Sequence, residues 1–125
     1  MQLQDITTNL EISRKLKELG VPQESYFYWS KAMDNKFWRI ENSQFFAIDK
    51  RRDVSAFTET ELGRLLPDWI TTFRSGDGYY YCKSESEINK ELDIEFVSER
   101  PQDAKAKMLI YLIEQKLIDV SSLTI

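Results

Sequence analysis

The side chains best suited to chemistry in this sequence are carboxylates, and two of them are separated by a single residue. Asp93 and Glu95 would share one face of an extended segment, where carboxylate oxygens can bind a hard cation. Acidic residues at a sheet edge more often remain solvated, because charge there blocks unwanted strand pairing. A small carboxylate- or metal-dependent enzyme is therefore kept only as an alternative.

Most other groups used in catalysis are missing. The chain has no histidine and one cysteine, which excludes histidine-based nucleophile pairs, histidine-ligated zinc and internal disulfides. Its four glycines form no phosphate-binding loop. Cys82 is expected to pack as a small apolar group. We therefore expect no enzymatic activity, no metal and no cofactor.

The acidic residues are concentrated in one stretch. The net charge is −4, and residues 76–125 carry six basic and ten acidic side chains, which supplies the whole excess. The densest part is residues 85–99, and a solvated loop is its simplest interpretation. The alternative is a surface that imitates a phosphate backbone or docks on a basic protein. Because phosphate binding needs a positive surface, direct binding to nucleic acid is not expected. The alternative is a single-strand stacking platform formed by the interleaved basic and aromatic residues Lys31, Lys36, Phe37, Trp38 and Arg39, but Asp34 and Glu41 make the local charge weak.

Residues 25–49 are rich in aromatic side chains. Burial in a core explains Trp38 and Phe46, since aromatic residues favour strands and pack well in them. Strand alternation places Phe37 and Phe45 on the opposite face, beside Arg39. Burial is the first interpretation of these residues, and a partner-binding interface is the second. Combined with the acidic stretch, this defines a candidate interaction surface of Glu85, Glu87, Glu91, Asp93, Glu95, Phe37, Arg39 and Phe45.

Three helices are predicted, over residues 9–19, 59–66 and 101–116. Thr8 and Glu11 have capping-box spacing at the first helix. Thr58 and Glu61 have the same spacing at the second. The third begins at Pro101, a favoured first helical residue, and its apolar run predicts a central place in the core.

Six extended segments are predicted around these helices. They are residues 25–31, 36–41, 44–49, 69–74, 79–83 and 94–99. The first three are predicted to form a meander, the next two a hairpin around a glycine-rich turn, and the last an edge strand. The prediction is one α+β domain over residues 1–125, with an antiparallel sheet of five to six strands packed with three helices.

Three sequence blocks resemble a group of small proteins of unknown function. The blocks are KLKELGVPQESYFYW, SAFTETELGRLLPDW and RPQDAKAKMLIYLIEQKLI, at residues 15–29, 55–69 and 100–118. They are similar to proteins encoded by phages, prophages and mobile elements of Bacteroidetes-type bacteria. The resemblance implies a bacterial cytoplasm and carries no activity or site residues.

The expected function is a non-enzymatic protein-binding module of phage or mobile-element origin that modulates a host factor. A structural homo-oligomer, such as a homodimer closed by the aromatic face, is the alternative from a different class. The longest apolar run, residues 108–113, is too short to cross a membrane. The first residues lack the pattern of a signal peptide. A cytoplasmic location is therefore expected, with no membrane contact.

Overall fold

The computed structural model describes residues 2–31, 37–84 and 94–124. Over these residues the chain is α+β, as predicted, with three α-helices. The helices are α1 (Leu10–Glu18), α2 (Glu59–Leu65) and α3 (Pro101–Glu114). All three lie where they are predicted, and α3 ends two residues before the predicted boundary at 116.

The described strands form two antiparallel sheets of three strands each. The strands are β1 (Phe27–Ser30), β2 (Arg39–Asn42), β3 (Val54–Ala56), β4 (Ile70–Arg74), β5 (Tyr80–Ser84) and β6 (Glu95–Ser98). The first sheet has the order β2-β1-β3, and the second has the order β4-β5-β6. The single sheet of five to six strands is not confirmed, because the chain enters α2 directly after β3 and no described strand joins the two sheets.

The third predicted strand, over residues 44–49, is wrong. The chain turns there instead, with Phe45 N–H donating to the Asn42 carbonyl at 3.0 Å. The Asn42 side chain also accepts from Gln44 N–H at 2.9 Å, a hydrogen bond by which asparagine favours turns. The third strand is β3, which pairs with β1 and leaves β1 in the centre. The order is therefore not a meander.

The two predicted capping boxes have different outcomes. At α2 the box is confirmed, since the Thr58 hydroxyl accepts from Glu61 N–H at 3.4 Å and the Glu61 carboxylate accepts from Thr58 N–H at 3.0 Å. At α1 it is wrong, because Asn9 is the N-cap and accepts from Ile12 N–H at 2.8 Å. Thr8 instead accepts from Phe57 N–H at 3.1 Å, a contact that depends on a residue far along the chain.

The main apolar core lies around α3, as predicted. Met108, Leu109 and Leu112 are fully buried, and they belong to one cluster with residues of α1, α2 and the second sheet. From the second sheet, Cys82 on β5 belongs to this cluster and Phe96 on β6 packs against it. Within the described ranges, no helix combines the length and apolar character needed to cross a bilayer.

Candidate interaction surfaces

The acidic half of the predicted surface falls mostly outside the described residues. This applies to Glu85, Glu87, Glu91 and Asp93. Glu95 is described, and its side chain is exposed on β6. Ser84 N–H donates to the Ile94 carbonyl at 3.1 Å. The two described residues that flank residues 85–93 therefore lie next to each other, where β5 ends and β6 begins.

The aromatic half of the predicted surface is exposed rather than buried. Phe37 is 67% exposed and Phe45 is 86% exposed, so burial is the wrong interpretation for these two residues. Arg39 is exposed as well, whereas Trp38 is partly buried. Phe37 precedes β2 and Phe45 follows it, so they lie beyond opposite ends of one strand. The structure does not bring them together, and it places Glu95 in the other sheet.

A second exposed surface was not predicted from the sequence. The face of the second sheet that points away from α3, here called the outer face, carries alternate residues of the three strands. Directly opposite residues are Phe73 and Tyr81 between β4 and β5, and Tyr81 and Val97 between β5 and β6. These three residues, the apolar row, therefore lie side by side across the sheet. Phe73 is 41% exposed and Val97 is 40% exposed.

The centre of the apolar row is held in a defined position. The rings of Phe73 and Tyr81 stack with centroids 5.5 Å apart and an angle of 9° between their planes. The Tyr81 hydroxyl donates to the Asp77 carboxylate at 2.6 Å. This hydrogen bond raises the pKa of Tyr81 and lowers the pKa of Asp77. Because both rings are fixed before any partner arrives, binding here would lose little side-chain entropy.

Alternation in the sequence groups the outer-face residues on one side of the sheet but does not show that this side is exposed. On β5, Tyr81 and Lys83 alternate with buried Cys82, and the register aligns Tyr81 with Phe73 on β4 and with Val97 on β6. A two-residue period of apolar and polar positions predicts one covered face. In this segment both faces carry aromatic rings, so the period alone does not tell which face α3 covers.

Cys82 is placed where its thiol is unreactive. It lies on the central strand of the second sheet, and its side chain is fully buried against the core. Burial raises the pKa of the thiol, which outweighs the lowering by a hydrogen bond from Thr72 and by the charge of Lys105. A thiol that stays protonated is a poor nucleophile, in agreement with its predicted packing role.

The pKa values of two buried aspartates are shifted in opposite directions. At Asp53, burial alone would raise the pKa, but hydrogen bonds from Asp49 N–H, Ser30 and Arg52 outweigh it and lower the pKa. At Asp103, burial dominates and raises the pKa, and one carboxylate oxygen has no hydrogen-bond partner. Among the described residues, no group of three or more acidic or cysteine side chains could hold a metal ion.

Two shallow clefts meet at Trp38. One, of about 330 Å³, is lined by Arg14, Lys17 and Arg52 in addition to Trp38. The other, of about 540 Å³, is lined by Trp29 and Arg39 together with Trp38. The Lys31 ammonium lies 5.1 Å from the centre of the Trp38 ring. Basic side chains from separate parts of the sequence therefore converge around one indole.

Comparison with known proteins supplies no relative from which a function could be transferred. The predicted relationship to phage and mobile-element proteins therefore stays a prediction, as do the cytoplasmic location and the absence of enzymatic activity. Any function has to be argued from the surfaces described above. No protein-family model, no curated protein and no solved structure matches the chain.

Proposed function

We propose that the chain is a protein-binding module that docks a partner protein on the outer face of its second sheet. The observation that carries this proposal is the apolar row of Phe73, Tyr81 and Val97, which crosses all three strands with Phe73 and Val97 exposed and Tyr81 partly exposed between them. Contiguous exposed apolar side chains on a folded domain are typical of interaction sites. Aromatic residues are also enriched among the side chains that dominate binding energy.

The charge around the apolar row indicates the kind of partner. Glu95 lies on the outer face, and the two residues that flank the acidic stretch of residues 85–93 lie next to each other, where β5 ends and β6 begins. A partner with an apolar centre and a basic rim would complement this arrangement, since opposite charges steer association and favour the correct partner. A host factor that handles nucleic acid has such a surface. The phage or mobile-element origin is supported by the sequence resemblance alone.

Affinity capture from a bacterial lysate tests this proposal when matched variants run in parallel. The outer-face variant carries Phe73→Thr and Val97→Thr, which remove two apolar side chains and keep residues that favour strands. The control is Leu117→Thr, because Leu117 is 38% exposed and lies after α3. We expect the wild type and the control to capture the same partner, identified by mass spectrometry, and the outer-face variant to lose it. Equal capture by all three proteins, or capture of nothing, would contradict the proposal.

The acidic contribution is tested separately with the purified partner. Replacing Glu85, Glu87, Glu91 and Asp93 by the matching amides should weaken binding and flatten its dependence on salt, because screened attraction between charges is removed. The association rate should fall more than the lifetime of the complex changes. Binding that keeps its salt dependence in this variant would leave the apolar row as the only determinant.

A homodimer is the second candidate, and one feature of the outer face favours it. Lys83 and Glu95 are directly opposite on β5 and β6, next to the apolar row. Under two-fold symmetry the lysine of one copy can face the glutamate of the other, as an isologous interface requires. Light scattering over a range of concentrations tests this arrangement. A mass that stays monomeric at high concentration would exclude it, whereas a dimer abolished by Lys83→Glu and restored by adding Glu95→Lys would establish it.

A further inference from the structure

The surface around Trp38 differs in charge from the chain as a whole. Five basic side chains line its two clefts or lie over its ring: Arg14, Lys17, Lys31, Arg39 and Arg52. Among the described residues that line the clefts, the acidic side chain is Glu18. Asp53 lies beside them and is paired with Arg52 at 3.1 Å. The surface is therefore positive, although the net charge of the chain is −4.

The fold adds residues from distant parts of the chain to the local group of Lys31, Trp38 and Arg39. Arg14 projects from α1, Trp38 leads into β2, and Arg52 belongs to the turn before β3. Lys17 fastens that turn to α1, since its ammonium donates to the carbonyls of Lys50 at 3.0 Å and Asp53 at 2.8 Å.

The Trp38 indole gives this positive surface an aromatic platform. Its side chain is partly exposed where the two clefts meet. Trp29 in the second cleft is held in place, because its indole N–H donates to the Thr8 carbonyl at 3.1 Å. Proteins that bind single strands combine a positive groove for the phosphates with aromatic rings on which bases stack. Both parts of that combination are present here within one surface.

We propose that Trp38 and the surrounding basic side chains bind single-stranded nucleic acid. A base stacks on the face of the Trp38 indole opposite the Lys31 ammonium, while Arg14 and Arg52 on one side and Arg39 on the other contact the adjacent phosphates. The ring is the reason for choosing a single strand, since bases in a duplex are already stacked on each other and an acidic peptide has no flat ring to offer. This site is separate from the outer face and does not depend on the protein-binding proposal.

Fluorescence anisotropy with a labelled 12-nucleotide oligo(dT) or oligo(U) tests the proposal at low and moderate salt. We expect binding that weakens as salt increases, because counterions are released from the strand. Trp38→Ala should weaken binding about 5- to 150-fold, the range expected for loss of one stacked base. Tyr79→Ala, which removes an exposed ring just before β5, should leave the affinity unchanged.

A matched pair of arginine variants tests how much charge contributes to oligonucleotide binding. Arg14→Gln should weaken binding and reduce the slope of log K against log salt by about 0.7, as expected for loss of one phosphate contact on a single strand. Arg64→Gln removes the same charge from an exposed position on α2 and should change neither quantity. This pair remains informative even where Trp38→Ala impairs folding, since Arg14 is exposed and its loss opens no cavity.

Three results would overturn the proposal. The first is no change in anisotropy with either oligonucleotide at low salt. The second is full competition by a polyglutamate peptide together with unchanged affinity of Trp38→Ala, which would indicate an acidic protein as the ligand. The third is tighter binding of a duplex than of the single strand. The outer-face variant with Phe73→Thr and Val97→Thr should bind oligonucleotide normally, so failure of one proposal is distinguishable from failure of the other.

Discussion

The two sheets of this protein are stabilised by different kinds of contact. The second sheet packs on α3, with Cys82 inside the main apolar core and Tyr80 and Phe96 packed against it. The first sheet has buried apolar residues of its own, among them Tyr28 and Val54. Within the described residues, none of its strand residues belongs to that core cluster. The apolar core around α3 therefore includes the second sheet, whereas the buried apolar residues of the first sheet, Tyr28, Val54 and Ala56, lie outside it.

Around the first sheet, side chains also accept hydrogen bonds from the backbone, in two cases from residues far apart in sequence. Gln23 accepts from Ser55 N–H at 2.8 Å, and Glu61 accepts from Tyr26 N–H at 3.1 Å. Asp53 accepts from Asp49 N–H at 2.9 Å. Hydrogen bonds of this kind contribute little net free energy each but are costly to break once buried. The first sheet should therefore open at lower free energy than the second and should respond to pH, which packing does not.

The largest expected effect is in the core shared by α3 and the second sheet. Leu109→Ala removes a fully buried side chain of α3 and should lower the free energy of unfolding by about 3 to 5 kcal/mol, because it leaves a cavity in the shared core. Denaturant titration measures the loss. Leu117→Ala, at a position 38% exposed, is the control and should cost under about 1 kcal/mol. Similar losses in the two variants would show that α3 is not the centre of stability.

A smaller effect is expected at the first sheet. Asp53→Asn keeps the shape of a fully buried side chain but removes charge-assisted hydrogen bonds, and it should cost about 1.5 to 3 kcal/mol. Hydrogen exchange locates the change, since the amides of β1 and β3 should lose protection before those of β4 and β5. Uniform loss of protection across both sheets would remove the distinction between them.

Lowering the pH should destabilise the first sheet through protonation of Asp53. The pKa of Asp53 is lower in the folded protein than in the unfolded chain, so its carboxylate stabilises the fold above about pH 4. That contribution is lost as pH falls through the lower, folded pKa. The wild type should therefore lose stability below about pH 4 more steeply than Asp53→Asn. Parallel pH profiles for the two proteins would contradict this assignment.

Glu61 connects the first sheet to α2, and its replacement tests how far the two are coupled. One carboxylate oxygen accepts from Thr58 N–H at 3.0 Å, and the other accepts from Tyr26 N–H at 3.1 Å. Glu61→Gln keeps one accepting oxygen and should cost about 1 kcal/mol. The exposed Glu59→Gln, which breaks only an ion pair with Lys105, is the control and should cost less than about 0.5 kcal/mol. Exchange of the Tyr26 amide should accelerate only in Glu61→Gln.

The smallest expected effect concerns Asp103, at the start of α3. Burial raises its pKa, against the opposing charges of Arg100 and Lys107 and a hydrogen bond from Asn9 N–H. A raised folded pKa stabilises the fold at pH below the unfolded pKa, and this contribution is lost as pH rises through the folded pKa. With Asp53→Asn as the background, adding Asp103→Asn should therefore make the loss of stability on acidification to about pH 4 larger. It should change stability at neutral pH by less than about 1 kcal/mol.

Local patterns in the sequence predicted the elements well. The Thr58 and Glu61 capping box, the glycine-rich turn of the β4–β5 hairpin and Pro101 at the start of α3 lie where they are expected. Each depends on hydrogen bonds or backbone angles within about four residues, so the sequence contains the whole cause. The same reasoning was wrong at Thr8, whose hydroxyl accepts from Phe57 N–H, 49 positions away.

The candidate surfaces were predictable only in part. Exposure of Phe37 and Phe45 was the second interpretation and not the first, because alternation shows which residues share a face but not what covers that face. The apolar row was missed for the same reason. Four acidic residues of the predicted surface lie outside the described residues, and their role stays a prediction.

By itself, the sequence determined the helix positions, the hairpin and the absence of histidine chemistry. These follow from composition and from contacts between near neighbours in the chain. Only the tertiary structure decided that the strands divide into two sheets, that the apolar row remains uncovered, and that Arg14 and Arg52 meet at Trp38. Strand partners and the charge of a surface depend on residues far apart in sequence, and no short pattern records which of them will meet.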